Sequence, residues 1–229
     1  MSPVLQVLDT SFDYGAEPVL DGISFEVGER ESVGLLGSNG SGKSTLLWCV
    51  AGILRAKGRI LLFGRPPGRG AMARLGMVFQ NPEDQLFMPT LLQDLSLPLI
   101  NSGVAPGESR ERAERALLDF GLEKYRDRPA THLSLGQRKR AAVALALVRQ
   151  PELLLFDEPT AELDGRSVRQ LATLLRGLDG AKLVASHDLR FLREVTTRSL
   201  VLANGRIIAS GSTDAILADE NLLDRAGLI

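Results

Sequence analysis

The sequence predicts an α/β fold: a mostly parallel sheet covered on both faces, with an α-helical part inserted into it. Three observations carry this reading. An apolar run at 32–36 leads directly into the glycine-rich stretch GSNGSGKS at 37–44 and then into a helix. The last third alternates strand, helix, strand, helix, the order that builds a parallel sheet. The middle third reads as helix after helix.

Taken in order, residues 5–7 and 23–27 read as extended segments, and 32–36 reads as a strand buried on both faces. The helix after the glycines runs through Leu46 and Leu47 to about Ala51 and is stopped by Gly52. Two further extended pieces, 59–63 and 75–79, flank the Gly/Pro-rich loop RPPGRG. Helices are predicted over 90–99 and 108–120. The second sets Ala113, Ala116, Leu117 and Phe120 on one face, and pairs Glu108 with Arg112 and Glu111 with Arg115 on the wet face. Gly121 ends it. A third helix is predicted from Leu135 to about Arg149. Then follow strand 152–156, helix 165–175, strand 181–185, helix 189–195 and a hairpin, 200–202 with 206–208, around Asn204-Gly205, a favoured type I′ pair.

Composition narrows the function classes. The 229 residues carry 27 basic and 28 acidic side chains, a formal charge of −1, without the broad positive field of a nucleic-acid-coating protein, so no nucleic acid is expected as a partner. The chain is long enough to bury a core without disulfides, and its lone cysteine, Cys49, fits a reducing compartment. The longest clean apolar run, at 141–148, falls well short of the roughly 20 residues needed to cross a bilayer. The start, MSPVLQVLDTSFDYG, has neither the basic nor the apolar region of a secretory leader. A cytoplasmic chain is expected, one that works at a membrane only through a partner.

Gly37-Ser38-Asn39-Gly40-Ser41-Gly42-Lys43-Ser44 is GxxxxGK[ST] between a buried strand and a helix, the context that this phosphate-binding motif requires. The glycines let backbone N–H groups turn toward phosphate oxygens, and the helix start adds partial positive charge. Lys43 reaches the β/γ-phosphates and the Ser44 hydroxyl suits Mg²⁺. Out of that context the same residues would be a glycine-rich turn with a solvated lysine. Downstream, ELLLFDE at 152–158 is an apolar strand delivering Asp157 and Glu158 at its C-terminal end, the edge of an open parallel sheet where ligands bind. Asp157 suits a Mg²⁺ contact and Glu158 the base that polarises an attacking water. Either alone also suits an N-cap of the next helix.

Leu133-Ser134-Leu135-Gly136-Gln137, placed before a helix and upstream of the strand ending in Asp157, resembles the LSGGQ signature of the nucleotide-binding subunits of ABC transporters. Over essentially the whole chain other positions follow the family's order. Tyr14 resembles the aromatic A-loop residue, Gln80 the Q-loop, Ala161-Glu162-Leu163-Asp164 the D-loop and His187 the H-loop. By themselves Tyr14 would more often be core, and a histidine such as His187 at a strand end would more often be structural; His132 keeps that structural reading.

The resemblance implies a P-loop NTPase (ABC ATPase) fold with a mostly parallel core sheet, an antiparallel β subdomain and an inserted α-helical subdomain. One domain over 1–229 is implied, its nucleotide-binding core at about 1–84 and 150–229 and its helical signature subdomain at about 85–149. ATP and Mg²⁺ are the implied ligands. Nucleotide contacts are expected from Tyr14, Gly37, Ser38, Asn39, Gly40, Ser41, Gly42, Lys43, Ser44, Thr45, Ser134, Gly136, Gln137 and Asp164, metal contacts from Ser44, Gln80 and Asp157, and catalysis from Glu158, His187, Lys43 and Gln80. Family members pack head to tail, so that Ser134, Gly136 and Gln137 would contact ATP on the partner's phosphate loop. This implies a homodimer, or a heterodimer with a related ATPase, held on the inner face of the cell membrane by transmembrane transporter subunits. Leu135 and Glu162 depart from the family's usual glycines, the first bearing on loop flexibility and the second on the dimer seam.

Within the family, Asn81-Pro82-Glu83-Asp84-Gln85-Leu86-Phe87 after Gln80 resembles the QNPxDQxF segment of energy-coupling-factor importers, and GQRKRAAVALAL resembles their GQKKRVAIAxxL. The implied cargo is cobalt, another transition metal or a vitamin, with Glu83 and Asp84 in the groove that receives a basic coupling helix. The alternative is another ABC transporter class, or a non-transport ABC ATPase such as an iron–sulfur assembly subunit.

Overall fold

Nine strands form two sheets among residues 3–15 and 17–229, which the computed structural model describes. They are β1 (Leu5–Asp13), β2 (Pro18–Val27), β3 (Ser32–Leu36), β4 (Lys57–Leu62), β5 (Leu75–Val78), β6 (Leu153–Asp157), β7 (Ala181–Ser186), β8 (Arg198–Ala203) and β9 (Arg206–Ser212). The larger sheet runs β5-β6-β7-β3-β8-β9, parallel throughout except for β9, which folds back on β8 through the Asn204-Gly205 turn. Both turn residues have positive φ, as a type I′ hairpin requires. The smaller sheet, β2-β1-β4, is antiparallel. β1 and β2 outrun the segments expected from the sequence because register shifts beyond Val7 break the apolar alternation that marks a strand.

Alternation within the parallel strands sorts the core into two layers. Val33, Leu35, Leu153, Leu155, Leu183 and Leu202 point to one face and pack with the antiparallel sheet and helix α1 (Lys43–Val50). Leu36, Leu154, Phe156, Val184 and Val201 point to the other, against helices of the middle and last thirds of the chain. Because α1 lies inside the first layer, Leu46, Leu47, Cys49 and Val50 are all buried and the helix shows no amphipathic stripe.

A short helix, α2 (Arg69–Met72), interrupts the Gly/Pro-rich loop. The middle third forms α3 (Leu91–Asn101), α4 (Pro106–Asp119) and α5 (Leu135–Leu147), and the last third adds α6 (Gly165–Gly177), α7 (Leu189–Val195), α8 (Thr213–Ala218) and α9 (Glu220–Arg225). On α4, Ala113 and Leu117 are buried, and Glu108 pairs with Arg112 at 2.5 Å. The expected pair Glu111–Arg115 does not form. Arg110 pairs with Glu114 instead, at 3.1 Å, and Arg126 from the following turn reaches the same carboxylate at 3.1 Å, so neighbouring charge selects which row of the helix is bridged. Among the described residues no helix is long and apolar enough to cross a membrane.

Phe156 is fully buried on the helix-covered face, one residue before Asp157. Phe156→Ala is expected to lower the unfolding free energy in urea by about 3–5 kcal/mol, against less than about 1 kcal/mol for Ile208→Ala at its half-exposed position on β9. Equal losses would remove the two-layer account of the core.

Candidate active site

The glycine-rich loop lies between the end of β3 and the start of α1, and close packing explains its composition. A Cβ on Gly37 would sit 2.4 Å from Ser41 Oγ and 2.5 Å from the Leu202 carbonyl, so the loop touches β8 only with glycine there. Gly42 has φ +106°, and its Cβ would meet Leu20 at 2.9 Å. Lys43 folds back over the loop, its Nζ donating to the Gly37 carbonyl at 2.8 Å and the Ser38 carbonyl at 3.1 Å. Gly42 offers no side-chain cap to the first N–H groups of α1, and Ser41 Oγ is buried without a hydrogen-bond partner. Unpaired donors around a cradle that a Cβ would fill suit a phosphate-sized anion.

The carboxylates stand beside this cradle. Asp157 ends β6, and Ser44 Oγ donates to its Oδ1 at 2.9 Å. Burial pushes the Asp157 carboxyl above the usual range and the negative charge of Glu158 adds to this, while the Ser44 hydrogen bond and the charges of Lys43 and Lys139 oppose it. A hydroxyl and a carboxylate side by side form the small oxygen set that Mg²⁺ takes from a protein when phosphates supply the rest.

Glu158, the next residue, has φ +42°, a strained value for a side chain of its size. Its N–H donates to the Ala185 carbonyl on β7 at 2.9 Å, and this bond helps to hold the turn. One carboxylate oxygen lies 3.1 Å from Lys43 Nζ, close enough for an ion pair though not aligned for a hydrogen bond. The other accepts from the His187 backbone N–H at 3.3 Å and lies 2.9 Å from His187 Nδ1. The sequence assigns Lys43 to phosphate and Glu158 to water separately; the fold places them in direct contact.

Tyr14 follows β1 directly and stands edge-on to Phe12; the residue is 60% exposed and its hydroxyl lies 3.4 Å from Thr45 Oγ1. It is therefore a surface aromatic over the start of α1 rather than core. Gln80 comes two residues after β5 and lines a groove of about 330 Å³ with Ser44, Trp48, Asp157, Lys139 and Glu162. Its side-chain amide makes no hydrogen bond among the described residues, and its backbone carbonyl accepts from Lys139 Nζ. Lys139 is the residue that sequence reasoning missed. It stands between Arg138 and Arg140, and nothing in a run of three basic residues tells which one is buried.

The signature residues gather elsewhere. Ser134 caps α5, accepting from the Gln137 N–H at 3.4 Å, while Gln137 Oε1 accepts from the Ser134 N–H at 2.8 Å and Gln137 Nε2 donates to the Tyr125 hydroxyl at 2.7 Å. Asp164 caps α6 by accepting from the Ser167 N–H at 2.8 Å, a bond that holds its carboxyl below the usual range. Ser134, Gly136, Glu162, Asp164 and Ser167 line a second groove, of about 430 Å³, that includes no residue of the glycine-rich loop. Within one chain the predicted site residues therefore form two groups: Tyr14, residues 37–45, Gln80, Asp157, Glu158 and His187 in one, and Ser134, Gly136, Gln137 and Asp164 in the other. Leu135 borders both grooves, as does Glu162, whose φ is +63°.

Glu83 is not an unopposed acid. Arg138 Nε approaches it at 3.8 Å, leaving Asp84 as the exposed carboxylate of that turn with no ion-pair partner among the described residues. His132 closes a short exposed turn.

Residues 20–161 match the family described as ABC transporter. The chain is 42% identical over 228 residues to a putative ABC transporter ATP-binding protein of Streptomyces avermitilis, covering 97% of this chain and 87% of that one. It is 38% identical over 239 residues to the cobalt import ATP-binding protein CbiO of Rhodobacter capsulatus (100% and 85% covered) and 35% identical over 236 residues to the energy-coupling factor transporter ATP-binding protein EcfA of Methanocaldococcus jannaschii (98% and 85%). Among solved structures, CbiO1 from Clostridium perfringens, described as part of the ABC transporter complex CbiONQ, superposes with a TM-score of 0.84 at 33% identity, over all of this chain and 96% of that one. With its phosphate cradle, adjacent carboxylates and this relatedness, the chain belongs to the ABC transporter family, as an ATP-binding subunit and ATPase.

Proposed function

We propose that this ATPase powers an importer of the energy-coupling-factor type that carries cobalt, another transition metal or a vitamin, and that it hydrolyses ATP between two subunits packed head to tail. The two-group arrangement carries this reading: one group has the phosphate cradle and carboxylates, the other an exposed helix start beside a groove of its own. Each would complete its opposite on a second chain, whether a copy or a related ATPase. The single domain would bind transmembrane subunits on the cytoplasmic face of the membrane. The likeness to CbiO and EcfA supports that partner class and the cargo class.

In this mechanism Tyr14 stacks on adenine, the backbone N–H groups of 37–45 and the Lys43 ammonium hold the phosphates, and Ser134, Gly136, Gln137 and Asp164 contribute from the neighbouring chain. Ser44, Asp157 and Gln80 would hold Mg²⁺, which supplies charge neutralisation at the β- and γ-phosphate oxygens. Glu158 accepts the proton of the attacking water, and His187, on the opposite carboxylate oxygen, keeps that carboxylate aimed and touches the γ-phosphate. As long as Lys43 pairs with Glu158, the base is partly neutralised. Anionic phosphate competing for the ammonium frees the carboxylate for water, which ties base activation to substrate binding.

Four outcomes test this. Glu158→Gln is expected to lower ATP turnover by about 10²–10⁴ fold and to yield an ATP-dependent dimer on size-exclusion chromatography; a variant with parental turnover removes Glu158 from the role. For the shared site, Lys43→Ala and Gly136→Asp, each inactive alone, should regain ATPase activity when mixed, because a heterodimer contains one intact pair of groups; a mixture as inactive as its components speaks against head-to-tail sites. For transport, a strain lacking this subunit should lose uptake of one of radiolabelled cobalt, nickel or biotin and regain it with the parental gene. Asp84→Lys, which leaves the Arg138 contact intact, should not restore uptake although the purified subunit keeps parental ATPase activity. Unchanged uptake of all three in the deletion strain would overturn the cargo class.

A further inference from the structure

Lys139 is 3% exposed, while its neighbours Arg138 and Arg140 are only half-buried. Burying an ammonium is strongly unfavourable unless hydrogen bonds and opposite charge offset the lost hydration. Lys139 Nζ donates to the Gln80 carbonyl, and its charge faces the carboxylates of Glu162, Asp157 and Glu158. Burial pushes the ammonium toward its neutral form and those three carboxylates hold it back.

The chain around Gln80 depends on α5. β5 ends at Val78, and the next short helical turn begins only at Pro82. Between them, the Phe79 N–H donates to Gln85 Oε1 at 2.8 Å, and Gln85 Nε2 reaches the Ala142 carbonyl of α5 at 3.4 Å. With Arg138 near Glu83 at 3.8 Å, residues 79–85 are fastened to the signature helix by three successive side-chain links. Of these, the Lys139 link alone grips Gln80 itself, and Lys139 borders both grooves.

We propose that Lys139 is a positioning residue: by gripping the Gln80 backbone carbonyl from the signature helix, beside the D-loop residue Glu162 with which it lines both grooves, it sets the Gln80 amide against the metal and water site. Displacement of α5 by a second subunit then moves Gln80 with it. In this chain Glu162, where relatives of its family place a small residue, lines both grooves together with Lys139. The inference rests on the role of Gln80 given under the proposed function.

The test is steady-state ATP hydrolysis by the purified full-length chain as Lys139→Met, Lys139→Arg, Gln80→Ala and the double variant Lys139→Met/Gln80→Ala, with ATP and Mg²⁺ varied separately. Lys139→Met should lower kcat about tenfold while KM for ATP moves less than about twofold, and should raise the Mg²⁺ concentration for half-maximal rate. Lys139→Arg, which keeps charge and donors, should recover to within about threefold of the parent and covers the case in which the methionine variant fails to fold. The double variant should be no slower than Gln80→Ala alone. A parental kcat in Lys139→Met, an arginine variant as impaired as the methionine one, or multiplicative losses in the double variant would overturn the proposal. If Gln80→Ala is slow and Lys139→Met is not, only the positioning role falls; if Gln80→Ala itself has parental kcat, the reading of Gln80 falls and the proposal with it.

Discussion

A buried carboxylate held from two sides organises this protein. Glu158 is 4% exposed at the C-terminal edge of a parallel sheet, with the Lys43 ammonium on one oxygen and His187 on the other. A lone buried charge would be driven to its neutral form, and removing one partner of such a pair leaves the other uncompensated. The contact therefore requires three strand ends to meet: β3, which leads to the lysine; β6, which delivers the glutamate; and β7, which leads to the histidine. The strand order β6-β7-β3 places them side by side, and parallel pairing points all three C-terminal ends to the same edge.

The two apolar layers keep that edge in register. Strands buried on both faces can shift by a residue only by exchanging one full set of core side chains for the other, so the positions of Lys43, Asp157 and His187 relative to each other are fixed by Leu35, Leu155 and Leu183 on one side and Leu36, Phe156 and Val184 on the other. The strained turn at Glu158 persists because β6 on one side and its bond to Ala185 on the other determine the backbone path.

The helical insert obeys a different logic. α5 begins with a capping box that employs Ser134 and Gln137 within the chain, so this helix start is formed before any nucleotide arrives. It packs on the sheet through Ala141, Ala142, Val143 and Ala144 and is joined to the loop after β5 by polar links: Lys139 to Gln80, Arg138 to Glu83 and Gln85 to Ala142. A few directional bonds along one helix allow a group of loops to shift as a unit.

Most of the fold was legible because its signals are local. The strand at 32–36 and the helix at 189–195 fall where the sequence put them: a continuous apolar run is a local signal, and the helix start is held by the adjacent Asp188 side chain, which needs no distant partner. The phosphate loop was equally legible, as glycine spacing and the following lysine are set by backbone sterics. What the sequence alone could not supply is which charges meet. Ser44 and Asp157 bond across 113 residues of chain, Lys43 joins Glu158 over a similar span, Lys139 is buried where Arg138 and Arg140 are not, and Glu114 pairs with Arg110 and Arg126 while the expected Glu111–Arg115 pair does not form. Beyond neighbours one helical turn apart, such as Glu108 and Arg112, charge attraction has no periodicity along a chain and acts only between groups that packing has already brought close, so the amino-acid order determined the elements and the motif they carry, and only the tertiary structure decided the long-range pairs.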